Sequence, residues 1–368
     1  MGRDNPKVRM LYEDLYRQFG IEAAWMRPRK RVFEDPTMPH RPSRLRKEVG
    51  LSEAAKAKLA RVTAAVPEVM VKVSGRTRDS GHLKAHMEYI TRNGKVEADT
   101  DYGRIKGKEV VNDLHADWSD DEVIYKGQHN VRRAPLSVNL VLSMPPGVDR
   151  EAFRNAVRDF VDAEIRPRVD VIVAFHDDTM HPHAHVTVRG RQHNGRTFNP
   201  GKPVLEHYRE RFAAALRARG IEAEATPRFA RGRTMKSDRQ QIRYLRARGL
   251  VPRNDQRAIS EVYGELQRRR HGPGKGQRGQ RLTADRPWET AARTRHESVR
   301  AIYSAAAKDL AQSGNTADRQ LARQVQQFVR SMPKPLFRRD LYLQALEKQL
   351  AKGERGRGHE KKREGPER

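Results

Sequence analysis

The run from Phe175 to Val188, FHDDTMHPHAHVTV, gathers the side chains best suited to chemistry. Residues His183 to Arg189 read as a β-strand, in which successive side chains face opposite sides. His183 and His185 then share a face, about 7 Å apart along the strand at the usual rise per residue. Ala184, Val186 and Val188 turn the other way, into a core. His176 closes the preceding apolar strand, Val169 to Phe175, and a short connection returns it beside that pair. Three converging imidazoles suit a divalent transition metal, leaving positions open to phosphate oxygens. An ion there polarises a phosphate and neutralises the charge that builds on its oxygens in the transition state. Asp178 is placed to fix the tautomer of one histidine or to lie close to the ion. His181 breaks the alternation across Pro182 and ranks below the others. The same pattern also suits a histidine-rich surface loop, or a zinc site that only holds the fold together.

The surrounding elements must bring these residues together. Val69 to Val73 is short, apolar and β-branched, with Ser74 and Gly75 after it, and reads as a strand. His82 to Arg92 fits a helix, stopped by Asn93-Gly94. Val110 to Trp118 reads as a second helix. Leu136 to Leu142 alternates as a strand and ends before Pro145-Pro146. Asp149 is an N-cap for a helix from Arg150 to Ile165, whose apolar residues fall on one face. Asn194-Gly195 reads as a hairpin turn, and a helix from Val204 to Arg219 stops at Gly220. This order predicts an α+β fold, an antiparallel sheet with helices on one face. A mostly helical, basic C-terminal region follows, including amphipathic helices over Arg295–Ala311 and Asp318–Met332. Before the first strand, Leu11–Phe19 and Ser52–Ala64 can form short helices. The stretches 271–281 and 352–368 read as a glycine-rich basic linker and a disordered charged tail.

Charge is distributed unevenly. Lys and Arg outnumber Asp and Glu by 15 to 8 in residues 1–66, by 25 to 24 in 67–225, and by 35 to 15 in 226–368. The middle is nearly neutral and the flanks carry the excess, which is the footprint of a polyanion partner. With 36% hydrophobic and 33% charged residues, the chain can build one moderate core within much solvated sequence. The expected division is a basic N-terminal extension over 1–66, a central domain over 67–225, a basic helical region over 226–351 that binds DNA or a partner, and the tail. There is no cysteine, which excludes disulfides and thiolate metal sites and fits a reducing compartment. No apolar run is long enough for a signal peptide or a membrane span, so no membrane insertion is expected.

His183-Ala184-His185 resembles the His-hydrophobic-His motif of the HUH endonucleases. The wider string His-x-Asp-x-x-His-Pro-His-x-His-Val is similar to the third motif of conjugative relaxases, closest to the MobP and VirD branch. That family carries a nucleophilic tyrosine in a helix after its first strand, and Glu88-Tyr89-Ile90-Thr91-Arg92-Asn93-Gly94-Lys95 resembles its tyrosine motif at that place. The resemblance covers roughly residues 68–225. It implies a relaxase fold and a metal-assisted attack by Tyr89 on one DNA strand at a transfer origin. A 5′-phosphotyrosyl intermediate would form, and the ends would be rejoined after conjugative transfer. It further implies a divalent ion, Mg2+ or Mn2+, held by His176, His183 and His185. A phenol, with a pKa near 10, is a poor nucleophile without such help. Arg92 and Lys95, just beyond Tyr89, can contact the DNA backbone or simply cap a solvated helix end; His86 and Glu88 are nearby candidate bases. Implied partners are single-stranded and duplex DNA at the origin, a relaxosome accessory protein and a secretion coupling protein. The implied location is the bacterial cytoplasm, with export through a secretion channel bound to DNA. Rolling-circle replication initiators resemble the same motif but place the tyrosine after the histidines. For that alternative Tyr208 is the candidate. A basic DNA-binding protein with a structural metal is the non-enzymatic one.

Overall fold

A computed structural model describes residues 51–126, 134–235, 238–271 and 286–348. The expected helix at Leu11–Phe19, most of the 271–281 linker and the 352–368 tail lie outside them, while the helix expected at Ser52–Ala64 is α1 (Glu53–Thr63). The chain divides into two units, one over Arg61–Thr226 and the other over Met1–Ala60 with Pro227–Arg368.

The central unit is built on a six-stranded antiparallel sheet in the order β1-β4-β6-β5-β2-β3. The strands are β1 (Met70–Thr77), β2 (Ala98–Thr100), β3 (Gly103–Ile105), β4 (Ser137–Ser143), β5 (Val171–His176) and β6 (His183–Arg189). β1 runs past the expected Val73 because a bulge between Val73 and Gly75 absorbs the turn residues and pairing resumes up to Thr77. The hairpin of β2 and β3 has no counterpart in the sequence reading. Its strands are three residues each, too short for alternation to register.

Alternation on the interior strands decides which side chains meet. Val171 and Val173 of β5 and Ala184, Val186 and Val188 of β6 face one side. There they pack against helices α4 (Arg150–Glu164) and α5 (Lys202–Ala218) through Phe153, Phe160, Tyr208 and Phe212. This is the expected layer of helices. α4 begins where Asp149 Oδ1 accepts from the Ala152 amide at 2.6 Å, and α5 ends at Gly220, whose φ of 78° is left-handed. The opposite face is also partly covered. Ile172 and Ala174 of β5 meet Leu83, Met87 and Ile90 of α2 (Ser80–Ile90) and Val111 and Trp118 of α3 (Lys108–Lys126). α3 outruns the expected Val110–Trp118 at both ends.

The second unit is helical over its described residues beyond 226. Helices α6 (Gln240–Ala247), α7 (Arg253–His271), α8 (Pro287–Ala311) and α9 (Thr316–Ser331) follow a short 3-10 turn. α8 starts earlier than its apolar pattern suggests because Pro287 occupies its first turn, where a missing N–H costs nothing. α9 is capped by Asn315, which accepts from the Ala317 amide at 2.8 Å, and Tyr303 of α8 meets Phe328 of α9 edge to face at 5.1 Å. Among the described residues, no helix is long and apolar enough to cross a membrane.

Candidate metal centre

Antiparallel register brings the three histidines together. His176, last in β5, pairs directly with His183, first in β6, and His185 lies opposite Ala174. All three therefore leave the sheet on the α2 side, at one end of two neighbouring strands. Ring centroids are 4.5 Å apart for His176 and His185, 5.3 Å for His176 and His183, and 5.4 Å for His183 and His185. One ring nitrogen from each lies within 4.8 Å of the others. Two metal–nitrogen bonds of about 2.1 Å reach ~4.2 Å across an ion, so modest rotations of the rings would close the set.

The protonation pattern suits ligation. His176 is buried, and its Nε2 lies 2.8 Å from the carbonyl of Ile90. A carbonyl only accepts, so Nε2 carries the proton and Nδ1 keeps its lone pair for the cluster. His183 Nδ1 likewise donates to the His181 carbonyl at 3.1 Å, which frees its Nε2. His185 is 8% exposed, and neither of its ring nitrogens has a hydrogen-bond partner. Buried polar atoms are rarely left so. Burial above all, and then the neighbouring histidines, pushes His185 down to about 3. Burial also lowers His176. Neutral imidazoles at physiological pH are what a divalent ion requires.

Tyr89 lies over this cluster. Asp79 caps the start of α2 by accepting from the His82 amide at 2.9 Å. Leu83, Met87 and Ile90 then form the buried stripe of the helix. The adjoining stripe holds His86 and Tyr89, three residues apart. His86 Nε2 is 2.8 Å from Thr187 Oγ1 on β6, and burial lowers its pKa to about 4. Tyr89 is 54% exposed, with its ring 5.6 Å from that of His185 and 6.0 Å from that of His176, both edge to face.

The end of α2 sets Arg92. Arg92, Asn93 and Gly94 all take positive φ, at 53°, 55° and 79°. Gly94 sits against α3's entry, where an added Cβ would lie 2.4 Å from the Gly107 carbonyl carbon. This turn lays the Arg92 guanidinium 5.3 Å from the centre of the Tyr89 ring. It also ion-pairs with Asp178 and approaches His176 Nδ1 at 3.5 Å. Asp178 thus touches Arg92, and His181 reaches the cluster through its main-chain oxygen while its side chain is exposed. Lys95 lies exposed on the turn beyond.

Sequence reasoning missed the anchors of the connection between β5 and β6. Arg150 on α4 donates to Asp177 Oδ1 and to the Thr179 carbonyl, both at 3.0 Å, and Arg154 also pairs with Asp177. On the far side the Pro182 carbonyl accepts from the Met144 amide at 3.2 Å. The signal was present as arginines in the first turns of an expected helix, but nothing in the sequence aimed them at this loop.

Tyr208 stands elsewhere. It is 2% exposed, packs edge to face on Phe160 at 5.5 Å in the core on the other face of the sheet, and burial raises its hydroxyl to about 12.

No solved structure matches the chain. Residues 89–221 match the relaxase family described as MobA/VirD2-like, nuclease domain. The chain is 26% identical over 183 residues to the T-DNA border endonuclease VirD2 of Rhizobium radiobacter, covering 45% of this chain and 43% of that protein. It is 24% identical over 185 residues to the T-DNA border endonuclease VirD2 of Agrobacterium fabrum, covering 45% of this chain and 41% of that one. It thus spans less than half the length of these relatives. The match begins on Tyr89 and takes in all three histidines, so the likeness to a MobA/VirD2-like relaxase nuclease domain falls within the central unit and on its candidate site.

Proposed function

We propose that the central unit nicks one strand of DNA at a transfer origin and later rejoins it, with Tyr89 as the nucleophile and His176, His183 and His185 as metal ligands. The observation that carries this reading is a solvent-accessible phenol directly over three clustered imidazoles. The unpartnered nitrogens of His185 favour a ligand role over a surface loop. A bound ion would supply Lewis-acid polarisation of the scissile phosphate. Three nitrogen donors suit Mn2+ or a later transition ion better than Mg2+, which prefers oxygen.

The Tyr89 oxygen attacks phosphorus in line, forming a phosphotyrosyl bond on the 5′ side of the nick. The bond from phosphorus to the 3′ oxygen breaks, and that oxygen takes up a proton to leave as a 3′-OH. The phenolic proton passes to solvent at the exposed side of the ring. His86, with its pKa near 4 and its Nε2 engaged by Thr187, is a poor base, and it serves instead to pin α2 to β6. Arg92 faces both the ring and the phosphate side, where its charge offsets the developing negative charge. The phosphodiester is conserved in the adduct, so the reverse attack by a 3′-OH reseals the strand. The basic flanks would hold the DNA by phosphate contacts, and such binding falls steeply with salt. Accessory and coupling proteins are the partners that the family leads one to expect.

The test is a denaturing gel of the full chain with a single-stranded oligonucleotide from its own transfer origin. A covalent adduct should form with Mn2+, vanish with chelator, and be absent in Tyr89→Phe and in His183→Ala. Salt-sensitive DNA binding should persist in both variants. No adduct with any divalent metal would refute the reading and leave a DNA-binding protein with a structural metal. An adduct that survives Tyr89→Phe would remove Tyr89 from its role.

A further inference from the structure

The second unit carries a surface that the nicking chemistry does not use. Among its described residues three aromatic side chains stand open to solvent, Tyr244 at 61%, Tyr263 at 48% and Trp288 at 60% exposed. Two of them lie against a guanidinium, Arg248 at 5.5 Å from the centre of the Tyr244 ring and Arg286 at 5.2 Å from that of Trp288. Each pair is a flat π surface with a cation beside it. Ion pairs hold the elements together. Arg286, at the start of α8, pairs with Glu261 of α7, and Arg339 pairs with both Glu265 of α7 and Glu289 of α8. Trp288 is therefore kept beside α7. On the outer side of α7, Arg253, Arg257, Ser260 and Tyr263 follow one another at spacings of three and four, so they form one continuous track.

The charges of this region do not cancel. From Asp238 to Glu265 the carboxylates are those of Asp238, Asp255, Glu261 and Glu265. Arg246 and Arg338 take up the first two, Arg286 the third and Arg339 the fourth. Arg239, Arg243, Arg248, Arg253 and Arg257 are exposed and make no ion pair with a described residue. Free guanidiniums interleaved with open rings fit a polyanion whose bases are unstacked. The cations meet phosphates, and the rings stack on bases of any sequence, whose faces a duplex would hide. An acidic peptide would meet the guanidiniums and leave the rings uncovered. We propose that this face of the second unit is a sequence-independent site for single-stranded DNA, distinct from the nuclease centre. Tyr263 and Trp288 are its stacking platforms, and Arg253 and Arg257 contact phosphates. The proposal rests on the nicking reading for the choice of DNA as the polyanion. It turns the basic flank from a general phosphate contact into a site that tells one strand from two.

The experiment measures fluorescence anisotropy of the full chain in EDTA. The probes are an oligothymidylate of about thirty bases and a mixed-sequence duplex of equal length, neither carrying a transfer origin. Trp288→Leu and Tyr263→Leu should each weaken oligothymidylate binding about tenfold and duplex binding less than about twofold. Trp288→Phe and Tyr263→Phe, which keep a ring, should restore it. Arg253→Gln combined with Arg257→Gln should lower the slope of log affinity against log salt by about 1.4 for the single strand. Equal losses on single strand and duplex, or unchanged oligothymidylate affinity in both leucine variants, overturn the proposal. The adduct gel of the parent chain keeps the two readings apart. Adduct without the selective loss removes the stacking site alone, and the selective loss without adduct removes the nicking reading alone.

Discussion

Replacing His185 by leucine should make the metal-free protein more stable and the metal-bound protein less so. In the structure His185 is 8% exposed and both of its ring nitrogens lack partners. An unsatisfied buried polar group costs about 1–3 kcal/mol. Leucine removes that cost at similar volume, and repacking of the mismatch takes back up to ~1.5 kcal/mol. The net gain for His185→Leu without metal is about 1 kcal/mol, or a rise in Tm of roughly 2–4 °C for a domain of this size. Wild type should gain about 2.7 kcal/mol at a free metal concentration of a hundred times Kd, whereas the variant should gain almost nothing. Calorimetric melts of the full chain with EDTA and with Mn2+ would therefore cross, the variant higher in EDTA and the wild type higher in Mn2+. A variant that melts several degrees below wild type in EDTA would mean that the imidazole is held by interactions the structure does not contain. Equal responses of the two proteins to Mn2+ would mean that the ion binds elsewhere.

Gly94→Ala should destabilise the central unit by several kcal/mol and displace Arg92, because Gly94 combines a φ of 79° with a Cβ position 2.4 Å from the Gly107 carbonyl carbon. Denaturant melts would check the first part, and a drop in adduct yield of the surviving folded fraction the second. Tyr208→Phe should leave adduct formation intact, since Tyr208 lies in the core on the other face; loss of adduct in a folded variant would contradict this. The buried Tyr208 hydroxyl, raised to about 12, should also show in alkali. Its folded value lies above the unfolded value near 10, so the unfolded state loses its proton first. Its stabilising contribution is then full below pH 10 and falls by about 2–3 kcal/mol as pH rises from 10 to 12. Urea melts across that range, compared with Tyr208→Phe, should show the wild-type slope disappear in the variant.

The central site was readable from sequence where alternation carries information. β6 is an interior strand with one face in a core, so Ala184, Val186 and Val188 could face only inward and His183 and His185 only the other way. The position of His176 followed from its place at the end of the preceding strand. The strand's partner was not readable, because register depends on loops that carry no period. The roles of the loop residues escaped for the same reason. Asp178 seemed aimed at a histidine, yet a left-handed turn three residues past Tyr89 delivers Arg92 to it first. The hairpin of β2 and β3, with Ala98-Asp99-Thr100 as one strand, is too short and polar to announce itself, although it bounds a cleft beside the site. The second layer of helices was not readable, because nothing in the sequence says which face of the sheet Leu83, Met87 and Ile90 of α2 cover.

The position of β6 has a consequence for how the protein comes apart. It is hydrogen-bonded to β4 on one edge and to β5 on the other, and the segments that pair there lie up to about fifty residues apart in the chain. Fraying begins at termini and edge strands, and a strand in mid-sheet opens only with the whole cooperative unit. Amides from Ala184 to Val188 should therefore exchange with solvent at the rate of global unfolding. The cluster of His176, His183 and His185 would be kept or lost as one piece, and any passage too narrow for a folded sheet would take the cluster apart and oblige the chain to rebuild it afterwards.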